Sequence, residues 1–118
     1  MVMIPDGLNN KAKLRKALAG MPGVPYLEEI TRQPLSKFLQ VMPGYEKRYV
    51  DRLWRRRNDC FFVKQGVADM IVEFDGDVII AYDNFLQHDP IVTNLHDFKK
   101  DLHQLYYYHR KTSWRDRS

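Results

Sequence analysis

The chain has 118 residues, of which 44% are hydrophobic and 13% aromatic, and a net charge of +4. That fits one packed domain over residues 1–118 and excludes a disordered or low-complexity chain. The longest aliphatic candidate, Val78 to Ala81, is strand-sized and far short of a membrane span, the start lacks the pattern of a secretory signal, and a lone Cys60 excludes an internal disulfide, so a reducing, cytoplasmic compartment and no membrane partner are expected.

Residues 1–7 read as an extended arm. Asn9 and Asn10 are good helix caps, and Leu14, Ala17, Leu18 and Met21 then recur at helical spacing until Gly20, Pro22 and Gly23 stop the run. Lys11, Lys13, Arg15 and Lys16 cover its outer face. Pro25 predicts a short helical turn carrying Leu27 and Ile30. Pro34 suits the first turn of the next helix, where Leu35, Phe38, Leu39 and Met42 form a stripe that Pro43-Gly44 ends. A further helix is predicted from Tyr45 to about Asn58. Tyr49, Val50 and Leu53 turn inward on it, and Arg48, Arg52, Arg55 and Arg56 face out.

At Cys60 the period becomes strand-like. Three strands are predicted, Cys60–Lys64, Val67–Phe74 and Asp77–Tyr82, the last two joined by an Asp75-Gly76 turn that pairs Phe74 with Asp77, Val72 with Ile79 and Met70 with Ala81. Asn84 to Val92 reads as a loop. Thr93 or Asn94 caps a last helix with an inward stripe of Leu95, Phe98, Leu102, Leu105, Tyr106 and His109, and a basic tail follows over 111–118. The expected fold is α+β: a helical N-terminal half, a small three-stranded antiparallel sheet, and a C-terminal helix packed on it.

Charge is segregated along the chain. Residues 1–64 carry a net +7, residues 65–98 carry −7 with no lysine or arginine, and residues 99–118 carry +4. Such blocks suit an anionic partner at the basic side, or a homodimer held head to tail.

The pair of helices around Gly44 resembles a helix-turn-helix, with basic residues on the second helix where phosphate contacts would fall. Pro43 in the turn, Gln40 where a small residue is usual, and an acidic Glu73–Asp77 hairpin depart from that pattern. The tail interleaves aromatic and basic residues, including Arg110, Lys111, Trp114 and Arg115, as nucleic-acid and protein interfaces both do. Asp69, Glu73, Asp75, Asp77 and Asp83 would be the carboxylates of a metal-dependent nuclease, but no lysine accompanies them, and turn and edge positions account for the aspartates. His96 and His103 stand seven residues apart, which does not suit one metal ion. No phosphate-binding glycine loop or nucleophile elbow occurs.

The sequence therefore favours a non-enzymatic binding protein without cofactor or metal. Nucleic acid is the first expected partner, through Arg48, Arg52, Arg55, Arg56, Arg110, Lys111, Trp114 and Arg115. The rival is a protein-binding accessory module, an inhibitor or assembly component of the kind bacteriophages encode, docking on a larger protein through its acidic sheet or an apolar surface.

Overall fold

Consecutive apolar residues from Cys60 onward build strands that are apolar on both sides, and the helices before and after divide between those sides. The computed structural model describes residues 6–19, 25–65, 68–84, 89–101 and 104, with the backbone alone at 6–9, 65 and 68. The elements are α1 (Asp6–Leu18), β1 (Tyr26–Glu29), α2 (Leu35–Val41), α3 (Lys47–Arg56), β2 (Asp59–Gln65), β3 (Ala68–Asp75), β4 (Val78–Asp83) and β5 (Ile91–Asn94), then a helix, α4, over 95–101.

The five strands pair antiparallel in chain order, with α2 and α3 inserted between β1 and β2. On one face Phe61, Val63, Met70, Val72, Phe74, Ile79 and Ala81 pack with Leu14 and Leu18 of α1 and Phe98 of α4. On the other, Cys60, Ile71 and Tyr82 pack with Phe38 and Met42 beneath α2 and with Val50 and Leu53 of α3. The result is three layers with the sheet in the middle, α1 and α4 on one side and α2 and α3 on the other.

The α+β class stands, but the sheet has five strands and not three. Tyr26–Glu29, read as a helical turn, is strand β1, paired with β2 in the register Tyr26–Lys64 to Glu29–Phe61. The end of the expected 84–92 loop is strand β5, which pairs Ile80 with Val92 and Ile79 with Thr93. Both are four-residue edge strands that follow a proline, and their pairing partners are distant or cross-loop, so local periodicity does not reveal them. Asp6 and Gly7, expected in an extended arm, are already helical in α1.

The hairpin is also displaced. Asp75 pairs with Val78, Phe74 with Ile79, and Val72 with Ala81, so the two-residue loop is Gly76-Asp77. Gly76 has φ +62° while Asp77 has no positive φ, the pattern of a type II′ loop with glycine first. The shift moves each partner by two positions, so every side chain stays on the face that the predicted pairing implies.

Asn94 caps α4 as expected: its Oδ1 accepts the Asp97 N–H at 2.9 Å and its Nδ2 donates to Asp97 Oδ2 at 3.2 Å. Phe98 is buried, but Leu95, expected in the same stripe, is exposed. Leu102, Leu105, Tyr106 and His109 lie outside the described side chains, as does the tail over 111–118. Among the described residues no helix is long and apolar enough to cross a membrane.

Candidate binding groove beside helix α3

Helix α3 forms because Val50 and Leu53, three residues apart, seat it on the sheet, and its solvent side carries only polar side chains. It ends at Arg57, which adopts the left-handed conformation at φ 57°. Two further contacts fix its approach to β4 and β5. The Tyr49 hydroxyl donates to Asp89 Oδ1 at 2.6 Å, just ahead of β5. The Gly44 N–H, in the turn before the helix, donates to Asn84 Oδ1 at 3.1 Å.

The sheet beneath α3 is read most clearly along one row. Cys60, Glu73, Ile80 and Val92 are successive partners across β2, β3, β4 and β5. Cys60 and Glu73 are fully covered, Ile80 is half-buried, and Val92 is 67% exposed. The helix thus covers the row as far as β3 and leaves the β4–β5 corner open. An open groove of about 340 Å³ occupies that corner, lined by Tyr49, Arg52 and Arg56 on the helix side, Ile80, Tyr82, Pro90 and Val92 below, and Asp75 at one end.

Of the expected contact residues, Arg52 and Arg56 are brought together on this groove, one helical turn apart. Arg48 and Arg55 stand outside it on the exposed surface of α3. Arg48 reaches Glu46 at 2.7 Å and lies over the Tyr49 ring at 4.9 Å, and Arg55 reaches Asp51 at 2.8 Å. Arg52 is exposed and forms no ion pair among the described residues. Arg110, Lys111, Trp114 and Arg115 lie outside the described residues.

Arg56 is exposed as expected, but it is also paired with a buried carboxylate. Its Nε donates to Glu73 Oε2 at 2.9 Å and its Nη2 to Glu73 Oε1 at 2.8 Å, and Nη2 also donates to the Tyr82 hydroxyl. Asn58 Nδ2 donates to Oε2 at 2.8 Å and the Tyr82 hydroxyl to Oε1 at 2.9 Å. Glu73 is wholly buried, and burial pushes its carboxyl up, but the hydrogen bonds from Arg56, Asn58 and Tyr82 outweigh that and hold its pKa below the usual value. The bond to Glu73 raises the Arg56 pKa, and burial raises that of Tyr82. With four donors on its two oxygens, the Glu73 carboxylate has no acceptor position left for a substrate proton.

The other chemistry-bearing side chains are similarly occupied. Cys60 is buried, its Sγ donates to the Asn58 carbonyl at 3.3 Å, and burial pushes its thiol up, the opposite of an activated nucleophile. Asp83 is buried, and no group of three or more His, Cys, Asp or Glu side chains among the described residues is placed to hold a metal ion. Within the acidic block Glu73 and Asp83 are buried and Asp89 accepts from Tyr49, while Asp75 and Asp77 are exposed at the hairpin.

The sequence does not single out the apolar part of the groove. Ile80 and Val92 become its floor only through the β4–β5 pairing. Tyr49, which the helical spacing turns inward, is half-buried on the groove wall. Comparison of the chain with known protein families, curated proteins and solved structures finds no match.

Proposed function

We propose that the protein is a non-enzymatic binder of nucleic acid, acting through the outward side of α3 with Arg52 as its central cation. The observation that carries this reading is the exposed Arg52 on the rim of the open groove, without an acidic partner among the described residues. Between positions 46 and 57 there are six basic and two acidic residues; once Arg56 is set against Glu73, the local excess is three positive charges. Arg48, Arg52 and Arg55 follow one another at helical spacing on one side, which suits successive phosphates. The saturated Glu73 carboxylate and the buried Cys60 thiol support binding rather than catalysis.

A protein partner is the second reading, and Val78, Val92 and Leu95 favour it as exposed apolar side chains around the β4–β5 corner. A gel-shift titration at about 50 mM salt separates the two. The expected result is a shift with nucleic acid that Arg52→Gln weakens about three- to tenfold, roughly one phosphate contact. Absence of a shift with any duplex or single strand removes the nucleic-acid reading and leaves the protein partner.

A further inference from the structure

We infer that the groove beside α3 receives an unpaired nucleobase, so that the ligand class is single-stranded rather than duplex nucleic acid. This rests on the nucleic-acid reading above and adds what the groove itself selects. The groove has two unlike sides. Its α3 rim is cationic, with Arg52 at the edge and Arg48 and Arg55 one turn away along the same surface, a span of roughly 10 Å along the axis. Its floor is apolar, built from Ile80 and Val92 opposite each other on β4 and β5, with Pro90 beside them.

A single strand presents both chemistries at once, phosphates on one side and unstacked π-faces on the other. A duplex presents its phosphates but keeps its π-faces stacked inside, and would leave Val92, 67% exposed, without a contact that rewards its burial. The volume of about 340 Å³ is at the scale of a small-ligand site, and so of one nucleotide. The walls are fixed before any ligand arrives. Tyr49 is tied to Asp89, and the planar Arg56 guanidinium is held edge-on by Glu73, which leaves its remaining N–H groups for a base edge. Asp75, at the end of the groove, is the one carboxylate on its lining among the described residues and sets the direction in which the phosphates must lie, away from it and toward Arg52.

The test is fluorescence anisotropy with an oligothymidylate of about 15 nucleotides and a duplex of the same length, on the full chain and on Val92→Asn and Arg52→Gln. Val92 lies exposed on an edge strand and Asn is neutral, so this change alters the floor without altering the charge. The single strand is expected to bind at least about tenfold more tightly than the duplex, and Val92→Asn to weaken it about five- to tenfold with the salt slope unchanged. Duplex binding as tight as single-strand binding overturns the inference and leaves the nucleic-acid reading in place. So does an unchanged single-strand affinity for a Val92→Asn protein whose circular dichroism matches the parent. Binding of neither oligonucleotide overturns both. The strand preference of the unaltered protein decides the matter even where a variant fails to fold.

Discussion

Glu73 stands between Val72 and Phe74 in the middle strand, on a row whose neighbours are Cys60 and Ile80. A carboxylate there, fully covered, would be untenable without partners, and it has four donors from Arg56, Asn58 and Tyr82. Glutamine at this position keeps the shape but offers one acceptor oxygen and an amide that opposes the donors, so at least two of the four lose their acceptor. Glu73→Gln is expected to cost about 2–3 kcal/mol, below the roughly 3–5 kcal/mol of a fully buried broken pair because the Arg56 side chain is 38% exposed. The pH dependence follows from the lowered carboxyl. The Glu73 contribution is complete above its unfolded pKa of about 4.3 and is lost as pH falls through the lower folded value. Urea unfolding of the two proteins should therefore differ most near pH 7, and the gap should close as the pH falls below the unfolded value and through the lower folded one. A gap that widens on acidification would refute the ionised assignment. In sequence Glu73 stands only as one of five sheet and hairpin carboxylates, and its pairing was not legible, because Arg56 and Asn58 arrive from a helix end that only the fold brings over β3.

The elements show the same division between local and non-local information. Helices α2 and α3 were legible because their apolar residues recur at helical spacing and Pro-Gly separates them, and β2 to β4 because short β-branched and aromatic runs are bounded by turn residues. Strands β1 and β5 were not, since four residues carry too little period and their conformation is set by the neighbour each pairs with. The hairpin lies between these cases. Asp-Gly signalled a turn, but its placement is decided by pairing Phe74 with Ile79 and Asp75 with Val78, which leaves Gly76 as the first loop residue at φ +62°. A Cβ at Gly76 would meet nothing within 4 Å, so any cost of adding one is conformational and not steric crowding by neighbours. Gly76→Ala is accordingly expected to cost about 1–2 kcal/mol, seen as a fall of several degrees in Tm. An unchanged Tm would mean that the loop does not need its positive φ. The groove was hidden from the sequence for a related reason. Its cations were visible as a basic helix face, whereas its floor exists only because β5 extends the sheet beyond the edge of α3.

At the scale of the molecule, the sheet separates two basic surfaces. Helix α1, with Arg15 and Lys16 exposed, covers the face built on Phe61, Val72 and Ala81, while α3 covers the face built on Cys60 and Ile71. One nucleic-acid segment seated on α3 therefore cannot engage α1 without wrapping around the sheet. The net charge of the chain overstates what a bound strand meets, and the two surfaces should respond differently to the same change in charge. Each phosphate contact releases condensed counterions, giving a log–log salt slope of about −0.7 per contact on single strands and −0.9 on duplex. Arg52→Gln should make the slope shallower by roughly that one unit of contact. The double change Arg15→Gln with Lys16→Gln removes twice the charge from α1 and should leave the slope within error of the parent. It lowers affinity only slightly, through the long-range field that salt of about 0.15 M screens within roughly 8 Å. Titrations between about 50 and 300 mM salt measure all three slopes. If the α1 pair shifts the slope as much as Arg52 does, the ligand contacts both sides of the sheet, and α3 is not the principal surface.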